Sequence, residues 1–328
     1  MKKRFATAAL LTFATFSTVA YAADTIRILT PTWLGFAPVH VANDMGCFKE
    51  VGIEVDYKFD DDRSNVLAAY ARGDIDVDMR TVGEHQGRPR DETTPGIIIG
   101  TIDESVGGDG VIADEAIKSV ADLKGKTVAA EPNIPARLLL QMELKKAGLT
   151  LGDLKIKDIA SADTGAVFAD TSISAIATYE PFMTQAVKNS TRAGAKVMFS
   201  SKDYRGIIID VITARKEDVA ANPKKYTGFL KCIYKAVDFA AAQPDKYAEM
   251  AAPHFGLTPA DVKETLASSL AYIPLADAQA YMGKVGARGK LHDIFETVMQ
   301  LNLDNGAADN KLDSNRQIDN SVINAITP

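Results

Sequence analysis

The residues able to hold a small polar guest fall in short clusters that follow apolar runs. Trp33, Leu34, Gly35 and Phe36 come just after the run ending at Leu29. The chain has one tryptophan, and in a glycine-bearing loop it either stacks on a flat ligand or cation or packs against its own lobe. Thr81-Val82-Gly83-Glu84-His85 forms a second cluster, and Asp103-Glu104-Ser105-Val106-Gly107-Gly108-Asp109 a third. The paired glycines of the third suit a hinge or a close backbone approach, and an ordinary acidic surface turn fits equally well. Glu131-Pro132-Asn133 precedes one helical run and Asp163-Thr164 opens another, where Asp163 reads first as an N-cap and second as a ligand contact. Tyr179-Glu180-Pro181 ends a strand and starts a helix, and Tyr204 and Asp210 complete the set. The candidate ligand-binding residues are therefore Trp33, Phe36, Thr81, Glu84, Asp103, Asp109, Glu131, Asn133, Asp163, Tyr179, Glu180 and Asp210.

Other chemistries find little support. Gly125-Lys126-Thr127 resembles the end of a phosphate loop, but the glycine required five residues earlier is Val120. His40, His85, His254 and His292 are scattered and form no H-x-x-x-H pair, so no metal site is expected. There is no G-x-S-x-G elbow. Asn189-Ser190-Thr191 fits a glycosylation sequon, weak evidence alone. No catalytic residue and no cofactor is assigned.

The clusters need elements to position them, and the stretch Ile117–Asn133 shows these best. Ser119 and Asp122 have the spacing of a capping box, and Gly125 can end the short turn they start. Thr127–Ala130 reads as a buried strand, and Ile134–Ala147 as an amphipathic helix. Strand, loop and helix N-terminus make a half-site for a polar ligand, because the first helical N–H groups have no internal partner.

The same alternation runs along the chain. Strands are expected at Thr25–Leu29, Ile53–Phe59, Ile75–Met79 and Pro95–Ile102, with helices at Ala37–Phe48 and Asp62–Arg72. From Val111 the pattern restarts: strands at Leu154–Ile159, Ile173–Ala177 and Val197–Phe199, helices at Gly165–Ala169 and Pro181–Lys188. Gly206–Ala214 is a further apolar strand, and the remainder from Asp218 is mostly helical, with helices at Pro223–Ala242, Asp245–Ala252, Pro259–Leu270, Ala276–Met282 and Leu291–Leu301 and with Pro223, Pro244 and Pro259 near helix starts. This is an α/β fold of two units, each a mostly parallel sheet flanked by helices, with a helical C-terminal part. The chain crosses between units near Thr101–Val111 and again near Tyr204–Val211. Two crossings make a hinge around a cleft, and post-strand loops of both lobes face that cleft.

Lys2-Lys3-Arg4, the apolar Phe5–Val19 and Ala20-Tyr21-Ala22 have the form of a secretory signal peptide cut near Ala22. Its apolar run is short for a membrane span, and no cysteine follows the cut to carry a lipid. Cleavage there leaves 306 of the 328 residues, and loss of three basic residues takes the net charge from −6 to −9. No basic run and an acidic balance argue against nucleic acid and mildly against anionic membrane surfaces. An oxidising compartment permits a bridge between Cys47 and Cys232, and two buried thiols fit as well.

Together these segments resemble the periplasmic solute-binding proteins of ABC importers, in the nitrate/sulfonate/taurine group that includes thiamine-pyrimidine binders. Besides 117–133, the resemblance rests on P-T-W-L-G-F-A-P at 31–38, G-C-F-K-E-V-G-I-E-V at 46–55, G-D-I-D-V at 73–77, G-G-D-G-V-I-A at 107–113, Y-E-P-F at 179–182 and D-V-I-T-A-R-K-E-D at 210–218. It implies a type II periplasmic binding fold with Venus-flytrap closure: residues 23–104 plus 207–328 as one lobe and 105–206 as the other. It also implies a monomer in the periplasm that hands a small molecule to a membrane permease with a cytoplasmic ATPase.

The candidate clusters depart from what nitrate or sulfonate would need. Those anions call for N–H, hydroxyl or basic donors, whereas Glu84, Asp103, Glu104, Asp109, Glu131, Asp163, Glu180 and Asp210 are acceptors when ionised. Several in one closed pocket would repel an anion. The expected ligand is a small cationic or N–H-rich molecule such as a guanidinium, amidine, amine or pyrimidine-like heterocycle, with Trp33 and Tyr179 stacking on it. Arg80 and Arg137 point the other way, toward a sulfonate, taurine or nitrate-type solute. A ligand-sensing role at a membrane receptor would use the same surfaces. A pyrimidine-synthesising enzyme of related fold would carry a cysteine-rich motif, and here the two cysteines lie far apart.

Overall fold

The structure is a computed structural model that describes residues 24–327. The expected signal peptide lies outside these residues. Eleven strands form two sheets: β1 (Asp24–Thr30), β2 (Ile53–Phe59), β3 (Val77–Thr81), β4 (Ile97–Ser105), β5 (Asp109–Ala113), β6 (Thr127–Ala130), β7 (Lys155–Asp158), β8 (Ile173–Tyr179), β9 (Lys196–Ser200), β10 (Ile209–Ala214) and β11 (Leu270–Tyr272). The first sheet has the order β11-β4-β10-β3-β1-β2 and the second β7-β6-β8-β5-β9. The first has two parallel and three antiparallel pairings, the second two of each. β1 runs parallel to β2 and β3, and β6 to β7 and β8, while β10, β11 and β5 pair antiparallel with their neighbours. The antiparallel parts exist because the strands that leave a sheet and those that return to it lie side by side.

The first crossing runs from β4 to β5 through residues 106–108, and the second from β9 to β10 through 201–208. β4 and β10 are neighbours in one sheet, β5 and β9 in the other. The two connections are tied together by Ser105 and Ser201, whose hydroxyls lie 2.8 Å apart, and by the Arg205–Glu104 ion pair.

The second sheet is buried on both faces, as period-2 alternation requires. Val111, Val128 and Ala175 pack on one side, with Leu140 and Leu144 of the helix Pro135–Lys146. Ile112, Ala129 and Ile176 pack on the other, against Phe168 and Met183. The first sheet carries the larger core, to which the helix Pro223–Ala242 contributes Tyr226, Phe229, Leu230 and Ile233. At full burial each such side chain contributes about 2 kcal/mol.

Several expectations need adjustment. The helix expected over Ala37–Phe48 is two: Ala37–Asp44, then Cys47–Glu50, broken where Gly46 takes φ +75°. Thr81–His85 is no loop. Thr81 caps a helix over Val82–Gln86, and Glu84 closes the capping box. The chain between Thr101 and Val111 contains most of two strands, so Asp103 and Asp109 sit on β4 and β5 rather than in a loop. The capping box at Ser119 and the helix Pro223–Ala242 stand as expected. Cys47 and Cys232 form a disulfide with Cα atoms 5.6 Å apart, joining the helices Cys47–Glu50 and Pro223–Ala242. Among the described residues no helix is long and apolar enough to cross a membrane.

Candidate functional site

A narrow cleft lies between the two sheets. From the first sheet's side come Pro31, Trp33, Phe36, Asp60, Asp61, Arg63, Arg80, Thr81, Glu84 and Asp210; from the second come Asp109, Glu131, Ile134, Pro135 and Tyr179. Ends of strands and the starts of the helices that follow them supply nearly all of these, as is usual where open α/β sheets bind ligands.

Trp33 sits where β1 gives way to the short turn Leu34–Phe36. Its indole N–H donates to Asp103 Oδ1 at 3.2 Å. Its ring meets Tyr179 edge-on, with centroids 6.4 Å apart and planes at 80°. Gly108 lies against that ring: a Cβ there would fall 2.4 Å from Trp33 Cη2. Tyr179 ends β8 and also packs edge-on against Phe182.

The two guanidiniums of the cavity are already engaged. Arg80 on β3 donates from Nε to Asp78 Oδ2 at 3.0 Å and from Nη1 to Glu84 Oε1 at 3.4 Å. Burial works against its charge, but Asp78 and Glu84 outweigh burial and hold its pKa above the ordinary value. Its Nη2 has no partner among the described residues. Arg63 donates to the carbonyls of Glu84 at 2.7 Å and Arg88 at 3.1 Å. Burial and the nearby Arg80 lower its pKa to about 10. Glu84 serves three donors: besides Arg80, its Oε2 accepts from the Thr81 N–H at 3.2 Å and the Thr81 hydroxyl at 2.9 Å.

Among the described residues, the other carboxyls of the wall have no ion-pair partner. Burial pushes Asp109 up to about 7, against a hydrogen bond from Ser105. Asp103 and Asp210 are cross-strand partners on β4 and β10, both buried, so their carboxyls lie on the same face of the sheet. Burial and mutual repulsion raise Asp210 well above the ordinary range. Glu131 accepts from the Ser161 N–H at 3.0 Å and its hydroxyl at 2.8 Å, yet burial still leaves its pKa raised. A wall of this kind favours neutral carboxyls or an incoming positive charge.

Eight of the twelve candidate residues meet at this cavity: Trp33, Phe36, Thr81, Glu84, Asp109, Glu131, Tyr179 and Asp210. Asp103 stands behind them, under Trp33. Asn133, in the left-handed conformation at φ 64°, faces a neighbouring groove instead. Asp163 is exposed. Glu180 turns to its own helix, accepting from the Thr184 N–H and hydroxyl. The lining residues outside the candidate set are Pro31, Asp60, Asp61, Arg63, Arg80, Ile134 and Pro135. Asp60 and Asp61 follow β2 as the other clusters follow their strands, a signal present in the sequence. Arg63 lies at the start of a helix and carries none.

The profile of the NMT1/THI5-like family matches residues 33–247, about two thirds of the chain. The chain belongs to the NMT1/THI5-like family. Among curated relatives of this NMT1/THI5-like protein is one from Brucella abortus (strain 2308) named "Putative binding protein", 31% identical over 159 residues. That match covers 45% of the present chain and 47% of the relative, so it spans about half the relative's length. Among solved structures, the alkanesulfonate-binding protein SsuA of Xanthomonas axonopodis pv. citri, bound to MOPS, superposes with a TM-score of 0.75 at 15% identity, over 92% of this chain and 100% of that one. The periplasmic nitrate-binding protein NrtA of Synechocystis PCC 6803 gives 0.70 at 13% identity, over 93% and 86%. At such identities the likeness shows the fold, the two-lobe type II periplasmic binding architecture.

Proposed function

We propose that this protein is the substrate-binding component of an ABC importer, exported to the periplasm, which captures a small cationic or N–H-rich solute and delivers it to a membrane permease. It binds and releases its solute without catalysis. One observation carries the charge of the ligand. Six carboxyls line the cavity, Asp60, Asp61, Glu84, Asp109, Glu131 and Asp210, against two guanidiniums, and the guanidiniums already have protein partners. A guest bearing N–H donors and positive charge would relieve the buried carboxylates, and Trp33 and Tyr179 offer it aromatic faces or edges. The membership of the family and the shared fold support the importer role.

The second reading is an anionic sulfonate, taurine or nitrate-type solute, favoured by the unpartnered Nη2 of Arg80. The sole tryptophan lines the cavity and reports on its occupancy. Titration with guanidinium, formamidinium, methylammonium, taurine, an alkanesulfonate and nitrate, followed by Trp33 fluorescence, separates the two. Saturable binding of a cation at micromolar concentration supports the proposal. Tight binding of taurine or an alkanesulfonate, with no response to the cations, overturns it.

A further inference from the structure

Asp103 and Asp210 pose a problem of charge that their surroundings do not solve. They face each other across β4 and β10, and both are almost wholly buried. Two buried carboxyls side by side hold a proton between them, since two carboxylates so placed repel strongly in a low dielectric. The groups around the pair bring no free positive charge. Trp33 approaches from the loop after β1, Tyr272 from β11 and Tyr247 from the helix Pro244–Phe255. Glu84 and Asp109 add negative charge from the helix Val82–Gln86 and from β5. Arg80 of β3 is engaged with Asp78 and Glu84, and the neighbouring Glu104 is held by Arg205. Among the described residues no group of three or more His, Cys, Asp or Glu side chains is placed to hold a metal ion. Asp210 opens onto the cavity.

We propose that Asp103 and Asp210 share one proton, and that a cationic ligand arriving at Asp210 takes its place, so that capture releases a proton to solvent. Asp103 is then a positioning residue: it holds Trp33 on one side and sets the protonation of Asp210 on the other. This inference rests on the cationic reading of the cavity. It makes affinity dependent on pH. Below the pair's titration, the association constant for a cation rises about tenfold for each pH unit, the slope of an exchange of one proton. Above it, the dependence levels off. Charge is balanced throughout, with one proton leaving as one positive charge enters.

The test is calorimetric titration of the full-length mature protein with guanidinium, and with methylammonium as a second probe, in buffers of different ionisation enthalpy near pH 6. Wild type is expected to release about one proton from the pair per bound cation. Asp103→Asn should release about one proton fewer than wild type and lose the pair's share of the pH slope, leaving only what Asp109 contributes, because its amide N–H can donate to Asp210 without a shared proton while its carbonyl still accepts from Trp33. A Trp33 emission spectrum checks that this variant is folded. If it is not, the infrared difference spectrum of wild type decides, through loss of a protonated-carboxyl C=O band on binding. A cation that binds with no buffer-dependent heat overturns the inference and leaves the cationic reading standing. Proton release by Asp103→Asn equal to that of wild type also overturns it. If neither cation binds, the reading and the inference fall together.

Discussion

The indole N–H of Trp33 lies within 3.2 Å of Asp103 Oδ1 and 3.4 Å of Oδ2, so the loop after β1 is pinned to the strand that carries the chain toward the second sheet. The same ring touches Tyr179 of that second sheet. One side chain thus registers both walls of the cavity, and its position depends on small residues around it.

Gly108→Ala should dislodge it. The added Cβ would lie 2.4 Å from Trp33 Cη2 and 2.9 Å from the Ser269 carbonyl oxygen, and backbone on one side and a packed ring on the other leave nowhere to go. We expect a loss of about 1–3 kcal/mol in stability, the usual range for overpacking. Ligand affinity should fall at least about tenfold, since about 1.4 kcal/mol lost from Trp33 contacts suffices. Urea melts and the Trp33 emission maximum check both, and an unshifted emission with normal binding would contradict so tight a slot.

Asp109→Asn should alter stability in a pH-dependent way. Burial raises the Asp109 pKa from 3.8 to about 7, so the folded protein holds a proton that the unfolded chain releases. Its contribution is complete below the unfolded value and is lost as pH rises through about 7. The ligand-free variant, spared a buried carboxylate, should match wild type near pH 4 and gain on it toward pH 8. The gain is at most on the order of 4 kcal/mol. Paired thermal melts across this range give the answer, and a constant difference would count against it. The same variant should bind a cation more weakly by about tenfold or more, at a net loss of roughly 1.5–3 kcal/mol for a charged hydrogen bond.

Much of this arrangement is legible in the sequence. Alternation marks Ile53–Phe59 and the proline-headed helix Pro223–Ala242 to the residue, and the post-strand position of Trp33, Thr81, Glu131 and Tyr179 brings them to the cavity wall. The illegible part is long-range. Asp103 reads as a loop acid and Asp210 as an isolated acid in the strand Gly206–Ala214, because a carboxylate inside an apolar strand is costly unless a partner is known, and the partner lies 107 positions away on the neighbouring strand. The T-x-x-E pattern of Thr81 and Glu84 is a local signal, and it commits Glu84 to a helix cap and to Arg80, which the reading of this stretch as a loop overlooks. The stacking of His40 on His254, at 4.5 Å, has no counterpart in their spacing.

In the second sheet, Asp114→Ala should be costly. Arg192 donates from Nε to Asp114 Oδ2 at 2.8 Å and from Nη1 to the carbonyls of Phe168 and Ile173, clamping the end of β5 to the start of β8. Both side chains are largely buried, at 9% and 14% exposure. Removing the acid leaves a buried guanidinium with too few acceptors, at about 3 kcal/mol. Asp114 is held below the usual carboxylate range; burial opposes this, and hydrogen bonds from the Ala116 N–H and Arg192 outweigh it. Wild type should therefore lose this contribution as pH falls below about 4, while the variant shows no such loss. Denaturant melts at pH 7 and pH 3 compare them.

Replacing Cys47 and Cys232 together by alanine should lower stability by about 2–4 kcal/mol, mainly through the freedom regained by the unfolded chain. Neither cysteine lines the cavity. The variant should bind its ligand as wild type does, and a matched loss of affinity would show that the bridge holds the site as well as the fold.

That bridge also has a topological meaning. The residues it joins are 185 positions apart, and everything from β2 through β10 lies between them. The whole second sheet is therefore threaded on a covalent ring whose clasp joins two helices packed on the first. A protease that nicks any loop of that ring cuts the chain without parting the molecule, and the two pieces separate only on reduction. During synthesis the clasp cannot close before Cys232 emerges, so the oxidised protein is one whose second sheet has already been delivered in full.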